Sequence, residues 1–131
     1  MKKLFLCLLL ATMSIAAQAK MDDCDGSTLE MVECLARKVD LADAKLNQVY
    51  QQVIAAARQQ AQDMNNEMGS DEVEEKIRIA QRSWNDWRAK ECEAQAEYQF
   101  TGGSGRNLAH MACMLDMLEE RIDDLQAMAE N

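Results

Sequence analysis

The chain predicts an all-α fold, an antiparallel three-helix stack tied by two disulfides, and three observations predict it. The 131 residues contain no proline, and the five glycines fall at three places: Gly26, Gly69, and the cluster Gly102, Gly103 and Gly105. Long stretches of good helix formers lie between them, so the glycines mark turns. Apolar residues in those stretches recur at alternating steps of three and four, the spacing that lays an apolar stripe along one face of a helix. Four cysteines, Cys24, Cys34, Cys92 and Cys113, sit where they could staple such helices together.

The first helix is expected over residues 28–64. Its stripe reads Leu35, Val39, Ala42, Leu46, Val49, Val53 and Ala56, and Ser27 or Thr28 can cap its start. At 1.5 Å per residue it runs roughly 55 Å, with a bend or break expected near Asp40 and fraying in the polar stretch Gln59–Asn66. The second helix is expected over 71–99, with Val73, Ile77, Ala80, Trp84 and Trp87 inward and Asp71 with Glu74 as a capping-box pair. The third is expected over 107–129, on a stripe of Leu108, Met111, Leu115, Leu118, Ile122 and Leu125, capped by Asn107 or Ser104. The connecting turns are short, which makes neighbouring helices antiparallel. No strand alternation, internal repeat or low-complexity linker interrupts this pattern.

Four cysteines allow three pairings. In a hairpin turning near Gly103, Cys92 and Cys113 are almost equidistant from the turn and so level on facing helices. Their bond would pin the hairpin, contributing about 3 kcal/mol by loop-closure reasoning. Cys24 and Cys34 then pair, tying the leading segment to the first helical turns. A Cys34–Cys92 bond is disfavoured by a height difference of roughly 15 Å. Structural zinc fits poorly, because the spacings contain no C-x-x-C and His110 is the only histidine. The missing C-x-x-C also argues against a thiol oxidoreductase.

The chain has five cysteines. Cys7 lies in the leading apolar stretch expected to be removed, and the four that remain are an even count that suits an oxidising compartment, as the first residues also suggest. Met1-Lys2-Lys3 is basic, Leu4–Ala16 is apolar, and Ala17-Gln18-Ala19 is a small-residue exit. That order is a signal peptide, residues 1–19, with cleavage after Ala19. The mature domain is then 20–131, periplasmic or secreted. The apolar run is too short to span a bilayer, and no later segment comes near the length required. The residues before Cys7 and Cys24 form no lipoprotein cleavage box, so no lipid anchor and no membrane insertion are expected. The chain carries −9, and more negative charge still once Lys2 and Lys3 leave. So acidic a chain is a poor ligand for nucleic acid or anionic lipid; it would attract a basic protein partner, although on charge alone the preferred reading is that acidity keeps a secreted protein soluble.

Two blocks carry a further signal: Ala42-Asp43-Ala44-Lys45-Leu46-Asn47-Gln48-Val49-Tyr50, and Ala80-Gln81-Arg82-Ser83-Trp84-Asn85-Asp86-Trp87-Arg88-Ala89-Lys90-Glu91-Cys92. With Cys24 and Cys34 before them and Cys113 and Arg121 after, they resemble the bacterial lysozyme-inhibitor LprI-like family. Its pattern runs Cys…Cys…Asp-x-x-Leu-Asn-x-x-Tyr…Gln-x-x-Trp-x-x-aromatic-Arg-x-x-x-Cys…Cys…Arg. The likeness covers nearly the whole mature chain. It implies a small helical envelope protein and, more specifically, inhibition of lysozyme-type muramidases. Placed on the helical hairpins, Asn47, Tyr50, Trp84, Arg88 and Arg121 fall in one middle slab, with Asp43 and the Cys92–Cys113 pair one turn or two away, and Gln81 belongs to the same family motif. A polar network is expected there, with Asp43 or Asn47 accepting from Arg88 or Arg121 and with Tyr50 and Trp84 closing over it. Unpaired polar groups at such depth cost about 1–3 kcal/mol each, so fixing helix register is the favoured role over a binding pocket.

Lysozyme is basic and works through two carboxylates. The loop that could reach such a cleft is Thr101-Gly102-Gly103-Ser104-Gly105-Arg106. Its glycines permit close backbone approach, Ser104 could donate a hydrogen bond and Arg106 could pair with a carboxylate, but a plain flexible hairpin turn is the reading preferred. The spacing Met111-x-x-Met114-x-x-Met117, next to His110, matches thioether ligation of Cu(I), but the same spacing fills core gaps, and core packing is the reading preferred. No metal or cofactor is expected. Trp84 and Trp87 are expected at the core and its rim. No nucleophile–base set, phosphate loop or dinucleotide fingerprint is present, which argues against an enzyme. The expected function is protein binding in the envelope, with muramidase inhibition as its specific form. The alternatives are an assembly module that never meets lysozyme, or a methionine-rich copper binder.

Overall fold

The computed structural model describes residues 23–63 and 70–130, and within them the side chains of all but Ser70 and Asp71. The leader expected over 1–19, Gly69 and the first turn lie outside these residues. Three helices follow in order: α1 Thr28–Asp63, α2 Ser70–Gln99 and α3 Ser104–Ala129. The all-α expectation is met: Gly26 precedes α1, and Gly102 and Gly103 separate α2 from α3, but Gly105 lies inside α3. α1 runs unbroken through Asp40.

α1 starts with a capping box. The Ser27 amide and hydroxyl donate to Glu30 Oε2 at 2.7 and 2.8 Å, and the Glu30 amide donates back to Ser27 Oγ at 3.3 Å. These bonds satisfy donors the first turn otherwise leaves open and hold the Glu30 carboxyl below its ordinary pKa, the Ser27 amide contributing most. Gly26 makes the fold-back fit. Its φ is +114°, and a Cβ there would meet Glu30 Oε2 at 2.5 Å. The turn between α2 and α3 needs Gly103 for its backbone alone: its φ is 81°, with nothing near where a Cβ would stand. Gly103 is itself the N-cap of α3, and no side chain caps that helix. Ser104 and Asn107, expected as caps, therefore lie inside α3, which begins three residues earlier than the stripe suggested.

The core is built by two of the three helices. α1 contributes Leu35, Val39, Leu46, Val49, Val53 and Ile54, and α3 contributes Leu115, Leu118, Ile122 and Leu125. Their pairing is the most extensive in the molecule. α2 contributes one large aliphatic side chain, Ile77, with Cys92 and Ala96, and fills the rest of its inward face with Gln81 and Arg88. Of its expected stripe, Ile77 is buried and Trp84 packs against the core, but the other three residues do not face inward. Val73 is 46% exposed and Trp87 53% exposed, and Ala80 also faces solvent.

Two disulfides close the stack as expected. Cys24 joins Cys34 with Cα atoms 5.7 Å apart, and Cys92 joins Cys113 at 5.5 Å. The first holds the leading segment against α1, and the second bolts α2 to α3. Among the described residues no helix is long and apolar enough to cross a membrane.

Candidate functional site

The polar centre is assembled from all three helices. Gln81, Trp84 and Arg88 follow at steps of three and four and so share one face of α2. Arg88 is 9% exposed, and its Nη1 donates to Asp43 Oδ1 on α1 at 2.9 Å. Arg121 on α3 donates from Nε to Gln81 Oε1 at 3.1 Å. Trp84 lies between these pairs. The Arg88 guanidinium carbon is 5.1 Å from its ring centroid and that of Arg121 is 5.7 Å away. Two cations with one carboxylate would be an uneven charge balance in an apolar medium. The negative face of the indole and the neutral amide acceptor on Gln81 offset that imbalance. Arg88 Nε is buried with no hydrogen-bond acceptor, so part of this guanidinium is stabilised by the ring alone.

Of the seven residues expected here, five meet: Asp43, Gln81, Trp84, Arg88 and Arg121. Asn47 does not. It sits on the exposed face of α1, because Leu46 and Val49 take the inward positions beside it. Tyr50 is half-buried, packs against the apolar core, and lies within electrostatic reach of Arg78. The centre links α1 to α2 and α2 to α3 at one height. Arg88 is almost sealed from solvent within it.

A second charged cluster, not anticipated from the sequence, ties α1 to α2 near their shared end. Arg58 grips Glu74 with two donors at 2.7 Å each, and Arg78 donates to the same carboxylate, its Nε at 3.0 Å. The Glu74–Arg78 half is an i,i+4 pair and legible as such; the Arg58 half needs the fold. Glu74, expected to cap α2, is thus engaged by cations. The Arg58 and Arg78 hydrogen bonds bring its pKa from 4.5 down to about 2. A carboxyl with a depressed folded-state pKa stabilises the fold above its unfolded pKa and loses that contribution as pH falls. Unfolding experiments are expected to show stability declining between pH 4.5 and 2, with a shallower decline in Glu74→Gln. Equal pH profiles for the two proteins would refute this.

The remaining expected sites are more dispersed. Thr101, Gly102 and Gly103 form an exposed turn, but Ser104, Gly105 and Arg106 belong to α3. Arg106 is paired with Glu97 at 3.2 Å. Met111 and Met114 pack against the core, and Met117 Sδ rests 3.5 Å from Cys92 Sγ. Trp84 is packed at the core margin, while Trp87 faces outward. Among the described residues, no group of three His, Cys, Asp or Glu side chains is placed to hold a metal.

The fold and its centre define a class: a small all-helical protein stapled by two disulfides, with two arginines set against a tryptophan at its centre. Comparison with known proteins narrows the class. The model of the family described as lysozyme inhibitor LprI matches residues 15–125, and this chain belongs to that family. It is similar to an uncharacterized protein of Rhizobium meliloti (strain 1021), 30% identical over 131 aligned residues that cover 95% of this chain and 91% of the relative. No solved structure matches it.

Proposed function

We propose that this protein is an exported protein-binding domain that inhibits lysozyme-type muramidases. The observation that carries this reading is family membership across residues 15–125. The net charge of −9 supports it, since it would draw in a basic enzyme and speed their encounter. Export is the companion proposal. A signal peptide over 1–19 would be removed after Ala19, and the two disulfides suit a periplasmic or secreted mature domain, 20–131. The protein acts here by occupying its target and is not itself an enzyme.

Titration of a basic lysozyme with the oxidised 20–131 protein tests the reading. The expected result is saturable, stoichiometric inhibition that weakens as ionic strength rises, because rim charges steer association and salt screens them. An unchanged rate of cell-wall hydrolysis at saturating protein, against several basic lysozymes, overturns it in favour of an envelope assembly role.

A further inference from the structure

Two shallow cavities, about 330 and 280 Å³, lie along the seam between α2 and α3 and share Gln95, Cys113 and Asp116 as lining. They therefore form one groove on the outer face of the hairpin. One end is apolar, walled by Phe100, Leu108 and Ala112. The other end is walled by Trp87 and Met117 and flanked by Glu91 and Glu120.

Trp87 is the unusual element. It is 53% exposed because Arg88 occupies the inward position next to it on α2. An indole left in water at that cost is a strong anchor when a partner covers it, and tryptophan is over-represented among residues that dominate binding energy. The flanking charge is of one sign. Glu91 accepts a hydrogen bond from Gln95 at 2.8 Å, and Glu120 is exposed on the facing helix. Of the basic side chains carried by the same two helices nearby, Lys90 is bound to Asp86 at 2.7 Å and Arg106 to Glu97 at 3.2 Å. An aromatic face bordered by carboxylates attracts cations twice over, through the ring quadrupole and through direct charge, and repels anions.

We propose that this groove is the docking surface for the muramidase, and that it receives a surface arginine or lysine of that basic enzyme against Trp87, between Glu91 and Glu120. The proposal rests on the reading of this protein as a muramidase inhibitor and assigns the contact to the outer α2–α3 face. The turn at Thr101–Gly103 and the sealed arginine centre are then bystanders to binding.

Three variants of the full 20–131 protein, each first checked for an unchanged thermal unfolding curve, test the assignment against egg-white lysozyme. Trp87→Ala is expected to weaken inhibition about tenfold, the scale of a binding hot spot. Glu91→Lys combined with Glu120→Lys is expected to weaken it by at least as much, with the salt dependence reduced. Leu41→Ala, an exposed apolar truncation on α1, is expected to leave inhibition within twofold. If the unmodified protein inhibits and the groove variants inhibit equally well, the groove is wrong while the inhibitor reading stands. If a further variant, Arg106→Glu, loses inhibition while the groove variants retain it, the contact lies at the start of α3 beside the turn and the groove is again wrong. If the unmodified protein neither binds nor inhibits lysozyme, both fall together.

Discussion

Replacing Cys92 and Cys113 with alanine is expected to lower the unfolding free energy by about 3 kcal/mol, the entropy of the chain loop that the bond closes. The loss should fall on one helix. α1 and α3 hold each other through ten buried aliphatic side chains, whereas α2 buries only Ile77 among its large apolar residues, sets Trp84 at the core margin, and otherwise presents Gln81, Arg88, Cys92 and Ala96 to the stack. Burial of apolar area is the main favourable term in folding, so α2 is held disproportionately by its disulfide and by the polar centre. Hydrogen exchange on the oxidised and alanine-substituted proteins reads this directly. Amides of α2 are expected to lose protection first, with α1 and α3 still protected. A uniform loss across all three helices would show that α2 is not the separable unit.

The second large effect is expected at Arg88. Arg88→Met keeps the length of the side chain but removes the donor to Asp43 and the cation over Trp84. A charge-assisted hydrogen bond contributes roughly 1.5–3 kcal/mol, and a desolvated cation–π contact adds roughly 1–2 kcal/mol. Two terms work against these. The Asp43 side chain is 41% exposed and can return to water, and the substitution also removes the buried Nε that lacks an acceptor. The net cost is expected to be about 2 kcal/mol for methionine and about 3 kcal/mol for alanine, which also leaves a void. Urea unfolding measures both, and a cycle with Asp43→Asn isolates the coupling between the partners. If Arg88→Met unfolds at the same urea concentration as the parent but no longer binds a partner, the centre is a recognition site and not a register lock.

The sequence made the helices legible because glycine and proline act locally, wherever they fall. The disulfide pairing was legible for a related reason: helical rise alone sets Cys92 opposite Cys113 in a hairpin that turns at Gly103. The polar centre was legible in composition, with Asp43 the acceptor for Arg88, but not in full membership. Asn47 was lost because neighbours at 46 and 49 fix the rotation of α1, and a single helix cannot point 46, 47 and 49 inward together. The inward face of α2 was the principal misreading. A stripe drawn through apolar residues selects Val73, Ala80 and Trp87, but hydrophobicity does not record that Arg88 finds a carboxylate on one helix and an indole on its own. Those partners come from sites 45 residues away in the chain and four residues before, respectively. The drift along α1 has a simpler cause. Steps of three and four average 3.5, the helix turns every 3.6 residues, and over a helix of 36 residues the buried edge migrates from Ala56 toward Ile54 and Ala57.

The order of the cysteines along the chain has a consequence for biogenesis. Each bond joins a cysteine to the next one in sequence, Cys24 to Cys34 and then Cys92 to Cys113. A polypeptide threaded N-terminus first into an oxidising space offers its thiols in that same order. An oxidase that couples each newly arrived thiol to the one already waiting would make the native connectivity at the first attempt, with no wrong bridge to reshuffle. Maturation of this protein is thus expected to depend on an oxidant and to be indifferent to loss of a disulfide isomerase.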